Sequence, residues 1–432
     1  MLLIHISDIH FRKGEVGSAL DPNAHIRNEL SLDAQEQCTR LGTSPKAILI
    51  SGDIAFSGNT EEYRYALTWL EDLCHRCGTD LTSVFVVPGN HDVDRNIASR
   101  PLIQSIHRDI KGTSPVLLEE KLRKLLTDEE AGPKLYEALS SYNNFAGQFF
   151  CDLLPPERTI SKRDLTLNDR STLRIVGFNS ALVSSSTDKE LDLFIDPACL
   201  QLIREPGVEY LALCHHPYNW LRQGSNLKDQ LNDIARIHLF GHEHTNRIEL
   251  GRDWVRVAAS AAHPDRTEPG WEPGYNLLDL QVEGTGIERY LNIGIHVRVW
   301  QSRPGQFRSK KDRDSDVFHQ KINLQQWSPP SNPVCRLKDS CTTEVMAQNL
   351  ASASDESIKI DSMDSLRDIA VRFFKLTLSQ KSAIAGKLDL FEENDTNQPD
   401  FERFRQVFIR ARERNLVEAL DRKIKAVTML SN

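Results

Sequence analysis

The chain lacks any run of about 18 consecutive apolar residues, the length a membrane-spanning helix needs. The N-terminal Met1-Leu2-Leu3-Ile4 run is broken by His5 and Asp8, so neither a spanning helix nor a secretory signal is expected. Cysteine is sparse: eight residues at 38, 74, 77, 151, 199, 214, 335 and 341 in a chain of 432 are too dispersed for a disulfide scaffold. A reducing cytoplasm is the expected compartment. The single C-x-x-C, Cys74 and Cys77, has no second pair and continues the stripe Tyr63, Ala66, Leu67, Leu70 and Leu73. That spacing marks the buried face of a helix rather than a zinc or redox site. Basic charge is not in excess either. With 53 Lys and Arg against 61 Asp and Glu, the net charge is -8, so the bulk field repels polyanions and any nucleic-acid contact must come from a local patch.

What remains is a folded composition, 39% hydrophobic and 26% charged, long enough for two or three domains at about 150 residues each. Short apolar runs alternate with amphipathic helices: Leu2–Ile6, Ile26–Leu41, Ala47–Ile50, Tyr63–Cys77 and Val84–Val87. The pattern resumes at Leu173–Phe178, Tyr210–Cys214, Ser225–Ala235, Ile237–Phe240 and Arg247–Ala258, the last with a turn at Gly251-Arg252-Asp253. This predicts a layered α/β domain over residues 1–325 with a β-sandwich-like centre. Helix formers dominate from about 94 to 167; because the strands on either side are expected to meet in one sheet, this stretch reads as a helical insertion. Residues 326–362 are polar and rich in Pro and Ser, as in a linker. Apolar spacing returns in Leu366, Ile369, Phe373, Phe401, Phe404 and Phe408, predicting an all-α module over 363–432.

Five polar clusters each follow a strand-like run, where α/β sheets place their ligands. They are Asp8-Ile9-His10, Gly52-Asp53, Gly89-Asn90-His91-Asp92, His215-His216-Pro217 and Gly241-His242-Glu243-His244. Singly each is weak, since a strand-end Asp commonly caps the next helix. In this order they resemble the motifs D-x-H, G-D, G-N-H-[DE], H and G-H-x-H of the calcineurin-like metallophosphoesterase superfamily. The resemblance covers about residues 1–300 and implies a layered metallophosphoesterase fold with two divalent ions. It assigns Asp8, His10, Asp53 and His244 to one ion, and Asp53, Asn90, His215 and His242 to the other, with Asp53 bridging. His215 is preferred over His216 because the family's ligand commonly stands two residues before a proline; His216 is expected behind the ligands or at the substrate mouth.

Chemistry accounts for the same residue types. Two cations roughly 3.5–4 Å apart lower the pKa of a shared water and clamp phosphoryl oxygens during in-line attack. A carboxylate suits the bridge, and the neutral Asn90 leaves the pair more electrophilic than another acid would. Imidazole and oxygen donors without thiolate fit manganese, the favoured ion, and equally iron or zinc. His91, directly after a ligand, should face the rim and protonate the leaving oxygen, with Asp92 holding its imidazole; the plainer alternative is a loop hydrogen bond.

Ser51–Gly58 with Glu61-Glu62-Tyr63 resembles the cyclic-nucleotide phosphodiesterase branch, and His5–His10 the DNA-repair nuclease branch. The C-terminal module resembles small helical effector- or adaptor-associated domains of bacterial conflict and defence systems. The expectation is a phosphoesterase acting on nucleotide or nucleic-acid phosphodiesters, recruited to a protein partner or self-associating through that module. A catalytically silent ligand-sensing adaptor, and a phosphomonoesterase or protein phosphatase on the same fold, are the alternatives. The five arginines between 403 and 414 read either as a solvated helix face or as a guide for nucleic acid.

Overall fold

The computed structural model describes residues 1–19, 21–265, 267, 270–329 and 366–431. From residue 330 onward the expected linker lies outside the described residues. The chain divides into two compact units, Met1–Trp327 and Ser328–Asn432.

The first unit contains two sheets. In the first, β1 (Leu2–Ile6), β2 (Pro45–Ile50) and β3 (Val84–Val86) are parallel. Helices Ala24–Leu41 and Thr60–Arg76 connect them, as a right-handed parallel crossover requires. These strands are buried nearly throughout, which is why they read as continuous apolar runs. In the second sheet, antiparallel β4 (Ile160–Thr166) forms one edge, beside β5 (Thr172–Phe178). Strands β5, β6 (Val208–Leu213) and β7 (Ala235–Phe240) are parallel. The other edge is β8 (Arg247–Leu250), antiparallel to β9 (Val255–Ala258), which itself runs parallel to β7. The chain then returns to the first sheet through β10 (Gly274–Glu283), β11 (Tyr290–Ser302), β12 (Gly305–Ser309) and β13 (Phe318–Asn323). The first sheet thus has the order β12-β11-β10-β1-β2-β3, with β13 also paired to β11, and the second runs β4-β5-β6-β7-β9-β8.

The stretch expected to be a helical insertion differs in two respects. Its helices end by Phe149, and its last residues form β4 rather than helix. The strands flanking it do not meet in one sheet: β3 belongs to the first and β4 to the second, so the helices form the passage between sheets. They are held there by their own apolar faces. Ile110, Leu118, Leu122, Leu126 and Leu135 pack with Val176, Phe178, Tyr210 and Ala212 of the second sheet and Leu227 and Leu231 of helix Gly224–Ile234.

The C-terminal unit is built from helices among its described residues: 366–374, Leu378–Lys387, Asp400–Glu413 and Val417–Ser431. Phe373 packs edge-on against Phe404 and Phe408 at 5.6 and 5.3 Å, and Ile369, Val407, Leu420 and Ile424 are buried with them. Asn415, with a left-handed backbone (φ 55°), separates Asp400–Glu413 from Val417–Ser431.

Candidate metal centre

All five motif clusters sit at the carboxyl ends of parallel strands, three from the first sheet (β1, β2, β3) and two from the second (β6, β7). The two sheets therefore bring together residues far apart in sequence, Asp8 and His244 among them. His244 Nε2 lies 3.2 Å from Asp8 Oδ1, and His10 Nε2 lies 3.8 Å from the same oxygen. On the other side, Asn90 Oδ1 is 3.0 Å from His215 Nε2 and 3.1 Å from His242 Nδ1. Asp53 Oδ2 stands between the groups, 4.0 Å from His10 Nε2 and 3.3 Å from His215 Nε2. Donor atoms of Asp8, His10 and His244 form one set able to hold an ion; those of Asp8, Asp53 and His215 form another.

The backbone is bent to achieve this. Asp8, His10, Asp53, His242 and His244 all have φ between 51° and 72°, a left-handed conformation costing about 1–3 kcal/mol each. Strain at these expected ligands is tolerated because close packing leaves no alternative. A Cβ on Gly52 (φ 100°) would stand 2.6 Å from the His215 ring, and one on Gly89 2.2 Å from Asp53 Oδ1. The motif glycines are thus needed for approach as well as for turning.

These residues fit a pair of cations. His215 Nδ1 donates to Ser51 O at 2.8 Å, which turns the Nε2 lone pair toward the oxygens of Asn90 and Asp53. Three acceptors facing one another demand positive charge. Burial opposes a charged His215, but the carboxylates of Asp53 and Asp8 raise its pKa to about 9, so that without a bound cation a proton on Nε2 supplies the positive charge. Burial instead lowers His10 to about 3 and His242 to about 4, leaving both as neutral donors. Burial alone would raise Asp8, but His244, His215 and His10 keep its carboxyl well below the usual range. His10 Nδ1 and His216 Nε2 are buried without a hydrogen-bond partner.

Asp92 does not hold the His91 imidazole. Its carboxylate is fully buried and accepts from the backbone N–H groups of Gly89 (2.9 Å), Ile54 (3.1 Å) and Ala55 (3.0 Å) and from the Tyr63 hydroxyl (2.9 Å). It points inward because four donors satisfy it there, and so it ties the G-N-H-D loop to the G-D loop. His91 is half-buried beside His10, ring centroids 4.6 Å apart. Its backbone N–H donates to Asp53 Oδ1 at 2.7 Å, and its Nδ1 lies 2.8 Å from Phe56 O. His216 is fully buried, its Nδ1 2.8 Å from Ser180 Oγ and its ring 4.5 Å from that of His242, and its donor atoms with those of His215 and His242 form a further set able to hold an ion.

Four neighbours were missed. Arg95 Nη2 lies 2.7 and 3.2 Å from the two ring nitrogens of His91; the signal was its place one helical turn after His91. Phe56 carries the guanidiniums of Arg12 and Arg95 at 3.9 and 5.3 Å from its ring centre. Trp220 meets the His242 ring edge-on at 4.1 Å. No local pattern marks Phe56, Arg12 or Trp220.

Residues 1–246 match the family model of the calcineurin-like phosphoesterases, and residues 365–426 match that of the GTPase-associated adaptor domain. Among curated proteins, the chain is 36% identical over 94 residues to glycerophosphodiester phosphodiesterase GpdQ of Enterobacter lignolyticus, covering 21% of this chain and 30% of that protein. It is 25% identical over 261 residues to the uncharacterized metallophosphoesterase-like protein YydB of Bacillus subtilis, covering 57% of this chain and 49% of that one. A probable cyclic nucleotide phosphodiesterase of Xenorhabdus bovienii is 29% identical over 96 residues, 22% of this chain and 36% of its own. The chain thus spans half or less of the length of these relatives. Among solved structures, GAP50 of Plasmodium aligns with 76% of this chain and 90% of its own at 10% identity and TM-score 0.36; Vps29 of Cryptosporidium parvum aligns with 75% and 98% at 12% and 0.30. The matched family model spans more than half of the residues and reaches into both sheets of the first unit, and the chain belongs to the calcineurin-like phosphoesterase family.

Proposed function

We propose that this chain hydrolyses phosphodiesters of the nucleotide or nucleic-acid class at a dinuclear centre, with manganese as the favoured metal and iron or zinc as alternatives. The observation that carries the reading is Asp53, whose Oδ2 stands between the Asp8/His10/His244 group and the Asn90/His215/His242 group. Two divalent ions held there would act as Lewis acids on the phosphoryl oxygens and would lower the pKa of the attacking water. The protein's residues do the rest. Asp53 is fixed for both groups by the His91 N–H, and Ser51 O selects the His215 tautomer. His91 presents its ring at the edge of the centre, where it delivers a proton to the leaving oxygen. Asp92 holds the two loops in register and takes no part in proton transfer. The names of the two phosphodiesterases among the relatives support a diester substrate.

The C-terminal unit serves recruitment in this reading. Its match to a GTPase-associated adaptor domain supports a GTPase-containing assembly as partner, and the bacterial defence setting rests on this module alone. Metal-stripped protein assayed with and without manganese, iron or zinc on a chromogenic monoester, bis(p-nitrophenyl) phosphate, cyclic nucleotides, and DNA and RNA tests the reading. Metal-dependent cleavage of diesters ahead of the monoester is expected; monoester-only cleavage would overturn it.

A further inference from the structure

We propose that Arg95, with Phe56 and Arg12, forms a subsite beside the metal centre that takes a second phosphate of the substrate, on the leaving-group side of the scissile ester. The inference rests on the diester reading and narrows it to nucleotide esters that carry another phosphate one unit away.

Arg95 is a cation without a carboxylate among the described residues. Its polar contacts are the two His91 ring nitrogens, and its guanidinium lies over Phe56. A guanidinium has five N–H donors, whereas an imidazole offers at most one acceptor. Most of the Arg95 donors therefore have no protein acceptor. Lys13 nearby pairs with Glu61 at 3.2 Å, whereas Arg12 has longer contacts, to Glu15 at 3.7 Å and Asp265 at 3.8 Å.

The placement selects the occupant. Phe56 holds two guanidiniums, Arg12 at 3.9 Å and Arg95 at 5.3 Å, an arrangement that concentrates positive charge on one half-buried ring. Arg12 covers one face at contact distance, which favours an anion over a stacked base. A fork of N–H donors matches phosphate bidentately. Because Arg95 stands against His91, the donor to the leaving oxygen in the proposed mechanism, the anion it receives belongs to the leaving side.

Calorimetric binding to metal-loaded, full-length protein tests this with adenosine 3′,5′-bisphosphate against the 3′- and 5′-monophosphates. All three offer the metals a phosphate, so the affinity ratio isolates the second one. Wild type is expected to bind the bisphosphate roughly tenfold more tightly than the better monophosphate. Arg95→Ala should bring that ratio to about one. Arg95→Lys, which keeps the charge without the fork, should fall between, while Arg64→Ala, a change at an exposed cation, keeps the wild-type ratio. A wild-type ratio near one, or an unchanged ratio in Arg95→Ala alongside slower turnover, overturns the proposal and makes Arg95 a positioning residue for His91. The same samples are assayed on bis(p-nitrophenyl) phosphate: absence of wild-type turnover contradicts the diester reading, whereas the binding ratio judges the subsite alone.

Discussion

The C-terminal helices and the surroundings of the candidate centre differ in how their buried polar groups find partners. In the C-terminal helices the arginines close on partners of their own unit. Arg410 donates to Asp395 Oδ1 at 2.8 Å and to Leu390 O at 2.9 Å, Arg414 to Glu392 at 2.6 Å, and Arg372 to Asp421 at 2.7 Å. Around the candidate centre, one side-chain atom each of Ser7, His10, His216 and His263 is buried with no hydrogen-bond partner, and the polar contacts of Arg95 are to an imidazole. Burying such groups unsatisfied costs about 1–3 kcal/mol each, so a fold retains them where a ligand completes them. Arginines fold both units, Arg298 on Asp33 in the first and Arg410 on Asp395 in the second, whereas Arg95 beside the candidate centre meets no carboxylate among the described residues. The readings offered for the Phe401–Arg414 arginines, a solvated face and a nucleic-acid guide, both miss that Arg410 is a buried structural cation.

The largest effect is expected at the bridge. Asp53→Asn should bring turnover to background and lower occupancy of both metal positions, as read by metal analysis, because one amide oxygen cannot balance two dications. Two retained ions with a normal rate would erase the contrast between the two regions.

His91→Ala should keep both metals and lose roughly 10²–10⁴-fold in rate on esters with poor leaving groups. The loss should shrink on nitrophenyl esters, which need little protonation. An equal loss on both would make His91 a phosphate contact instead.

Asp92→Ala tests the loop tie. Leaving three buried backbone donors unmatched should cost about 3 kcal/mol or more in stability, measured by denaturant unfolding. The dependence of rate on leaving group should stay as in wild type, because Asp92 faces away from His91.

Arg410→Ala strands the buried Asp395 carboxylate, 3% exposed, and should destabilise the C-terminal helices by roughly 3 kcal/mol. Small-diester turnover should be unaffected. A fragment ending at Pro329, which keeps the whole first compact unit, should likewise retain that turnover within about threefold. Loss of small-diester activity in either would mean that the C-terminal unit contributes to the centre.

The gathering of the five motif clusters was legible because strand ends of an α/β sheet supply fixed places for polar side chains. Helix faces were legible for the same kind of reason, as the buried Leu70, Leu73, Cys74 and Cys77 illustrate. Asp92 was not: which way a carboxylate turns after a ligand depends on donors from a different loop, Ile54 and Ala55, that no spacing reveals. The split of strands between two sheets was hidden because β4 (Ile160–Thr166) lay inside the stretch read as helical, so no strand marked the start of a second sheet. Strands β12 and β13 escaped because each buries a single residue, Phe307 and Ile322, so their alternation is nearly all polar. The left-handed Asp and His residues leave no mark in sequence.

The central claim is that two groups of donors sharing Asp53 act together on a phosphodiester. It is tested most directly by titrating chelator-stripped protein with manganese while following both bound metal and bis(p-nitrophenyl) phosphate hydrolysis. The account predicts no activity in the stripped protein and full activity at two ions per chain; full activity in metal-free protein, or a plateau at one ion, would contradict it.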